Sequence, residues 1–447
     1  MGDAPLDSSK RTRSPHGSRL DTRPFAGATS AARAAVLLLF VSATAPAQEP
    51  RLLERLTLAD ALALAGRQNP SLGAQEQSVE VGRAEEITAG LRPNPTFQND
   101  TTGATIGVYQ EIEIGGKRRA REESARLGTA VARADYADAQ RTLLLDVRRA
   151  FVAALLAREG VALALANSSS FQRVVDTNRV RLERGAESGA DLLKVELQML
   201  QYDTDLQDAR LALRTARATL RELLGGGAGI AEDFEVDGDL KPAPFERSLA
   251  DLERDALAHR PDLASAEAGL EKAGADVRLA KANAWPDPTI GASLLHTGHE
   301  IGGPDWFQPF YPKGETSNAM GLGISFPIPV FNRNQGEIAR SRAEETRATL
   351  LGRAARNQVL REVETAYAAL ESSRERVRMY EDTYLARSRE SREIAEYAFE
   401  RGATSILELL DAERTDRATQ LAYRHELAAY QTNLAELEAA VGAPAQP

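Results

Sequence analysis

Two proline-free stretches, Lys117 to Arg184 and Asn334 to Arg401, constrain this chain more than anything else in it. Each is about 68 residues, a helix of roughly 100 Å if unbroken. Ordinary helices run three or four turns, so one this long needs a partner along its length. The two stretches also resemble each other. Leu143, Val147, Ala150, Phe151 and Ala154 recur in register as Val359, Val363, Ala366, Tyr367 and Leu370. Arg184-Gly185-Ala186 returns one residue further out of phase as Arg401-Gly402-Ala403, Leu192-Leu193 as Leu409-Leu410, and Gly225 as Gly442. One module used twice implies a single pseudo-symmetric body.

The punctuation around the long stretches also repeats. A helix is expected from about Thr57 to Gln68, and a second from Pro70 to about Leu91, stopped by Pro93 and Pro95. In the second half a helix ends near His259, Pro261 opens the next, and Pro286 and Pro288 close it after Trp285. Strand pattern follows each Pro-x-Pro. Ile106, Val108, Ile112 and Ile114 alternate with Gly107, Tyr109, Glu111 and Glu113, and Gln110 interrupts the apolar side. Met320, Leu322, Ile324, Phe326 and Ile328 alternate with Ala319, Gly321, Gly323, Ser325 and Pro327; Ile290, Ala292 and Leu294 alternate more weakly. The run from Thr96 to Thr101 is the poorest strand. Period two gives each strand one apolar and one small or polar face. After the long helices, Arg-Gly-Ala marks a tight turn and a shorter helix returns to Gly225 or Gly442. Leu143, Val147, Ala150 and Ala154 have the spacing of a coiled-coil seam.

The N-terminus reads as a secretory signal. Basic residues from Lys10 to Arg33 precede the apolar run Ala34 to Val41, and Ala45-Pro46-Ala47 makes a small-residue cleavage site. That run is too short to span a bilayer. Removing residues 1–47 takes the net charge from −10 to about −13. A strongly acidic exported chain is a poor nucleic-acid binder. With no cysteine, disulfides, thiolate chemistry and a lipidated N-terminal cysteine are excluded.

Four amphipathic strands cannot stay open in hydrocarbon, where unpaired edge groups cost several kcal/mol each. Nor can four close alone, because barrels start at about eight strands. Two copies would give eight strands and three would give twelve. The rival arrangement is a small solvated sheet capping a soluble helical rod, and the signal peptide favours the membrane.

Two segments then carry a family resemblance. Pro93-Asn94-Pro95 with Gln110-Glu111-Ile112-Glu113-Ile114-Gly115-Gly116-Lys117-Arg118, and Phe326-Pro327-Ile328-Pro329-Val330-Phe331-Asn332-Arg333-Asn334-Gln335-Gly336, resemble the TolC family of outer-membrane efflux channels. Pairing Gly-Gly-Lys-Arg with Phe-Asn-Arg-Asn-Gln-Gly resembles its heavy-metal-efflux, CzcC-like branch. The resemblance runs from Leu56 to Gly442. It implies a mainly α protein with a small β-barrel portion: a homotrimer with a twelve-stranded barrel among outer-membrane lipid and an α-barrel of antiparallel coiled coils in the periplasm. It also implies docking to a periplasmic adaptor and a proton-driven inner-membrane pump, with no cofactor and no enzymatic activity. By the same resemblance, Arg184, Gly185, Ala186, Arg401, Gly402 and Ala403 form the adaptor-contact tip. Asp191, Glu408 and Asp411 are pore-constriction candidates, because three-fold symmetry would make any of them a carboxylate ring. The plainer role for such residues is helix-start acids stabilised by the dipole. Two departures from the family stand out: a short first hairpin, and no lipidated cysteine, which leaves anchoring to the barrel.

The expected organisation is therefore a signal peptide at 1–47, a first repeat at 48–225 (strands about 96–114, tip turn about 184–189) and a linker at 226–246. A second repeat follows at 247–442 (strands about 289–328, tip turn about 401–405), then a tail at 443–447. His296 and His299 with Glu300 and Asp305 lack a firm third ligand, so no metal site is assigned. Trp306, Phe307, Phe310 and Tyr311 read as interfacial belt or loop packing. Gly225-Gly226-Gly227 lacks the Lys-Ser/Thr of a phosphate loop. The function expected is passive conduction of substrate, metal cations first, with small organic molecules as the alternative and a channel-less periplasmic coiled-coil protein as the second.

Overall fold

A computed structural model describes residues 53–100, 105–185, 188–227, 229–297 and 317–442. The expected signal peptide and tail lie outside these residues, as do Ala186, His299, Glu300, Asp305 and the aromatic group from Trp306 to Tyr311.

Local chemistry sets the helix boundaries. Helix α1 (Leu58–Gln68) opens on a capping box in which Thr57 Oγ1 accepts from Asp60 N and Asp60 returns a bond to Thr57 N. Helix α2 (Pro70–Gly90) has Pro70 in its first turn, with Asn69 Oδ1 accepting from Ser71 N and Leu72 N. Helix α3 (Lys117–Glu183) is one uninterrupted helix of 67 residues, and α4 (Gly189–Leu223) returns beside it. In the second half, α5 (Leu249–His259), α6 (Pro261–Ala282), α7 (Gln335–Met379), α8 (Leu385–Glu400) and α9 (Ile406–Val441) follow in the same order.

The second long run departs from expectation. Between α7 and α8, Tyr380–Tyr384 form a π-helical turn, with Leu385 N donating to Tyr380 O. A π turn accommodates one extra residue without ending the helix. The one-residue change of phase between the two runs falls between Leu370 and Arg401, the interval that contains this turn. Tyr423 of α9 braces it, its hydroxyl donating to Glu381 at 2.8 Å.

The expected linker also holds more than a linker. Strand β4 (Ile230–Val236) pairs in parallel with β1 (Leu53–Leu56). Phe234 is fully buried, and Arg158 of α3 donates to the carbonyls of Val236 at 2.6 Å and Gly238 at 2.7 Å. The segment is a strap fastened to the helices at mid-length.

A four-stranded antiparallel sheet in the order β2-β3-β5-β6 stands at the start of α3 and α7. Its strands are β2 (Thr96–Asp100), β3 (Thr105–Glu111), β5 (Thr289–Thr297) and β6 (Ser317–Ser325). Both β3 and β6 end three residues before the alternation does, at Glu111 and Ser325, although Ile112 N still bonds Pro288 O at 2.9 Å.

The core lies away from the sheet. Its main cluster uses the expected seam, with Val147 and Ala154 fully buried against Val359, Val363, Leu370 and Tyr430. A second cluster at the far end of the helices joins Phe171, Val175, Val195, Tyr202, Phe399, Ile406 and Leu409. Among residues of the main cluster sits Arg260, whose side chain is 1% exposed. It pairs with Asp262 at 2.6 Å and Glu362 at 2.7 Å and donates to Ala440 O. Burial pushes both carboxyls up, but the Arg260 hydrogen bonds and charge outweigh it and hold them below their ordinary values of 3.8 and 4.5, with Gln358 helping at Glu362. A depressed folded pKa stabilises fully above the ordinary value and loses that contribution as pH falls through the depressed one. Thermal stability should therefore drop below about pH 4, and Arg260→Met should show a smaller acid-induced drop in the same melting series.

Candidate functional site: the sheet and the helical tip

The sheet sorts most of its large apolar side chains to one face, which also carries Asn99, Gln110, His296 and Asn318. In register across the strands lie Phe97, Val108, Ala292 and Leu322, then Ile106, Leu294 and Met320, then Ile290 and Ile324. Eight of these nine are large apolar residues, and all eight are exposed, Leu322 by 84%. The opposite face carries Gly107, Ser293 and Gly321, then Tyr109, Gly291 and Gly323. Tyr109 lies across Gly107 and Gly291, where any Cβ would collide with its ring. Strands β2 and β6 each have one unpaired edge. A sheet with an apolar face in the open and two free edges is incomplete in water.

Salt bridges lock the junction between sheet and helices. Lys117 Nζ, 10% exposed, pairs with Asp287 Oδ2 at 2.5 Å, and Asp287 Oδ1 accepts from Ile114 N at 2.9 Å. The acid of Pro286-Asp287-Pro288 thus holds the lysine of Gly115-Gly116-Lys117. Arg121 pairs with Glu113 at 2.6 Å and donates to the carbonyls of Ala89 and Leu91, closing the end of α2. Asn334, at φ 59°, donates from Nδ2 to Ala280 O at 2.7 Å and does the same for α6.

At the far end, both Arg-Gly steps are left-handed turns. Gly185 and Gly402 have φ of 71° and 70°, a region costly for any other residue. Gly402 N donates to Phe399 O and Ala403 N to Ala398 O, closing α8. Arg181 ties the two hairpins together, donating to Phe399 O and Glu400 O with its guanidinium 4.6 Å from the Phe399 ring. Arg401 stacks on the exposed Tyr397 ring at 3.5 Å.

The three acidic candidates differ in setting. Asp191 sits in the first turn of α4; Lys194 and then Ser188 hydrogen-bond its carboxylate and hold its pKa below the usual range. Glu408 holds the matching position in α9, its N–H donating to Ser405 Oγ at 3.4 Å. Asp411 is one turn further on and exposed. Just behind them lies a partly buried group that the sequence did not bring out, with Asp416 its one buried charged member. Arg392 of α8 faces Glu396, Glu413 and Asp416 at 3.0, 3.7 and 3.4 Å, and Ser388 and Gln420 donate to Asp416. Burial pushes Glu413 up; Arg392 pulls against it, and Glu396 and Asp416 add to it. Only its clustering of acids with one arginine on facing helices could have announced it. Among the described residues no His/Asp/Glu group is arranged to hold a metal, and His296 Nδ1 instead lies 2.7 Å from Asn318 Oδ1.

The family model described as outer membrane efflux protein matches residues 61–226 and 252–443. The chain belongs to that family. It is an outer-membrane protein with its helical body in the periplasm, and its relatives are efflux channels rather than enzymes. Within the family it resembles the CzcC-like branch: it is 26% identical over 370 residues to the cobalt-zinc-cadmium resistance protein CzcC of Cupriavidus metallidurans, covering 80% of this chain and 84% of that one. It is also 26% identical to the pyoverdine export outer membrane protein OpmQ of Pseudomonas aeruginosa, over 84% of this chain and 75% of that one. Its fold matches the CmeC outer membrane channel of Campylobacter jejuni with a TM-score of 0.70 at 14% identity, covering 86% of this chain and 85% of that one.

Proposed function

We propose that the chain is the outer-membrane duct of a tripartite exporter of metal cations. The observation that carries the duct is the open sheet: an exposed apolar face, a small polar opposite face and two unpaired edges. Three copies joined β6 to β2 would close twelve strands, with the apolar face to lipid and the glycine- and serine-rich face around water. The helices support the same closure. α4 packs along α3, and α8 along α9, leaving outward faces such as Leu193, Leu197 and Leu200 on α4 and Ile394 on α8 for the neighbouring copy.

In this reading residues 1–47 are removed on export, and two repeats, 48–225 and 247–442, frame the strapped segment 226–246. The turns at Arg184-Gly185-Ala186 and Arg401-Gly402-Ala403 meet the adaptor, and Asp191, Glu408 and Asp411 line the constriction. Asp411 is the strongest of the three, being exposed and outside the cap that engages Asp191. The duct is passive; an energised inner-membrane pump supplies direction. The periplasmic-rod alternative falls with the family assignment.

Cations rather than organic molecules rest on the likeness to CzcC, and OpmQ keeps the organic reading alive. A deletion strain should lose growth in cobalt, zinc or cadmium salts while keeping its tolerance to organic toxicants. The reverse pattern would move the substrate to the organic class.

A further inference from the structure

We infer that the junction just below the sheet is a phospholipid-binding collar for the periplasmic leaflet of the outer membrane, selective for anionic headgroups. The inference rests on the sheet being the membrane-spanning part. Apolar exposure does not stop where the strands stop. Beyond β6 the chain continues through Phe326, Ile328, Val330 and Phe331, all exposed, Phe331 by 91%. Beside them stand Leu91 after α2 and Trp285 after α6, the latter 64% exposed. These segments fix one another through Lys117–Asp287 and Asn334–Ala280, so the exposed side chains sit on a rigid base. The strip is continuous with the lipid face and adjoins the water-facing helices, as an interfacial zone must.

Charge identifies the headgroup. The acids of the junction are largely taken up: Asp287 by Lys117, Glu113 by Arg121 and Glu337 by Arg340. Arg92, Arg119 and Arg333 are exposed and have no carboxylate partner among the described residues. The net surplus is positive although the whole chain is acidic at −10. Apolar side chains next to unpaired guanidinium groups match a phosphodiester headgroup above its acyl chains. A second copy covering the same side chains is the competing occupant.

Trp285 provides the test, because the chain has two tryptophans and Trp306→Phe leaves it alone. The full mature chain carrying that change is reconstituted in phosphatidylethanolamine bilayers with bromine at different acyl depths. Trp285 emission should be quenched more by bromine near the headgroup than near the chain end. Separately, native mass spectrometry should show retained phosphatidylglycerol over phosphatidylethanolamine, weakened roughly fivefold by each of Arg92→Gln, Arg119→Gln and Arg333→Gln. Blue-shifted Trp285 emission that bromine does not quench would mean that a second copy covers the strip, and would overturn the collar. Equal retention of both lipids by the parent protein would overturn its charge selectivity. Inserted protein that conducts but shows either result fails the collar alone; protein that stays soluble without detergent fails the duct reading beneath it.

Discussion

Leu322→Arg is expected to prevent stable insertion. Leu322 lies at the middle of β6, 84% exposed, between Met320 and Ile324 on the apolar face. In the proposed barrel, an arginine on the lipid face near the bilayer midplane would cost about 2–4 kcal/mol per chain, and closure by three copies would multiply it. Gly323→Arg, one residue along, is the control. Its side chain would project from the opposite face, where an added Cβ meets nothing within 4 Å. That variant should insert normally and conduct cations less well. Membrane fractionation after expression in an outer-membrane host reads the first effect directly. Equal insertion of both variants would contradict the assignment of the two faces.

The junction carries the second large effect. Asp287→Ala leaves Lys117 buried without its counter-charge and Ile114 N without an acceptor. Breaking a buried pair by removing one partner typically costs about 3–5 kcal/mol, more than the pair contributes when intact. The thermal midpoint of the detergent-solubilised protein should fall sharply. The double variant Lys117→Met with Asp287→Leu should recover most of the loss, since no buried charge is left over. A single variant that melts with the parent would mean that Asp287 does not anchor sheet to helix.

Much of the helical architecture is legible in the sequence because local chemistry writes it. Pro70 and Pro261 open helices, the Pro-x-Pro steps close them, and Arg-Gly forces the tip turns through a left-handed glycine. Strand alternation shows the two faces of β3 and β6 from side-chain type alone. What the sequence hides depends on distant or irregular contacts. β4 is concealed by Glu232, Asp233 and Glu235, and its apolar residues find their partner β1 far back at Leu53–Leu56. The Lys117–Asp287 pair joins residues 170 positions apart, beyond any local pattern. The π turn at Tyr380–Tyr384 left one trace, the one-residue phase change, which periodicity alone does not convert into geometry. Of the constriction candidates, Asp191 shows how a helix-start acid can serve its own cap, while the Arg392–Glu413–Asp416 group escaped notice because its members look like solvated helix charges.

Single-channel conductance in planar bilayers, with purified mature protein beside Glu408→Ala and Asp411→Ala, tests the duct most directly. The expected result is a stable, cation-preferring conductance that rises, with weaker cation preference, when Asp411 is removed. Inserted, trimer-sized protein that passes no current in any of the three forms would contradict a water-filled path through the closed sheet.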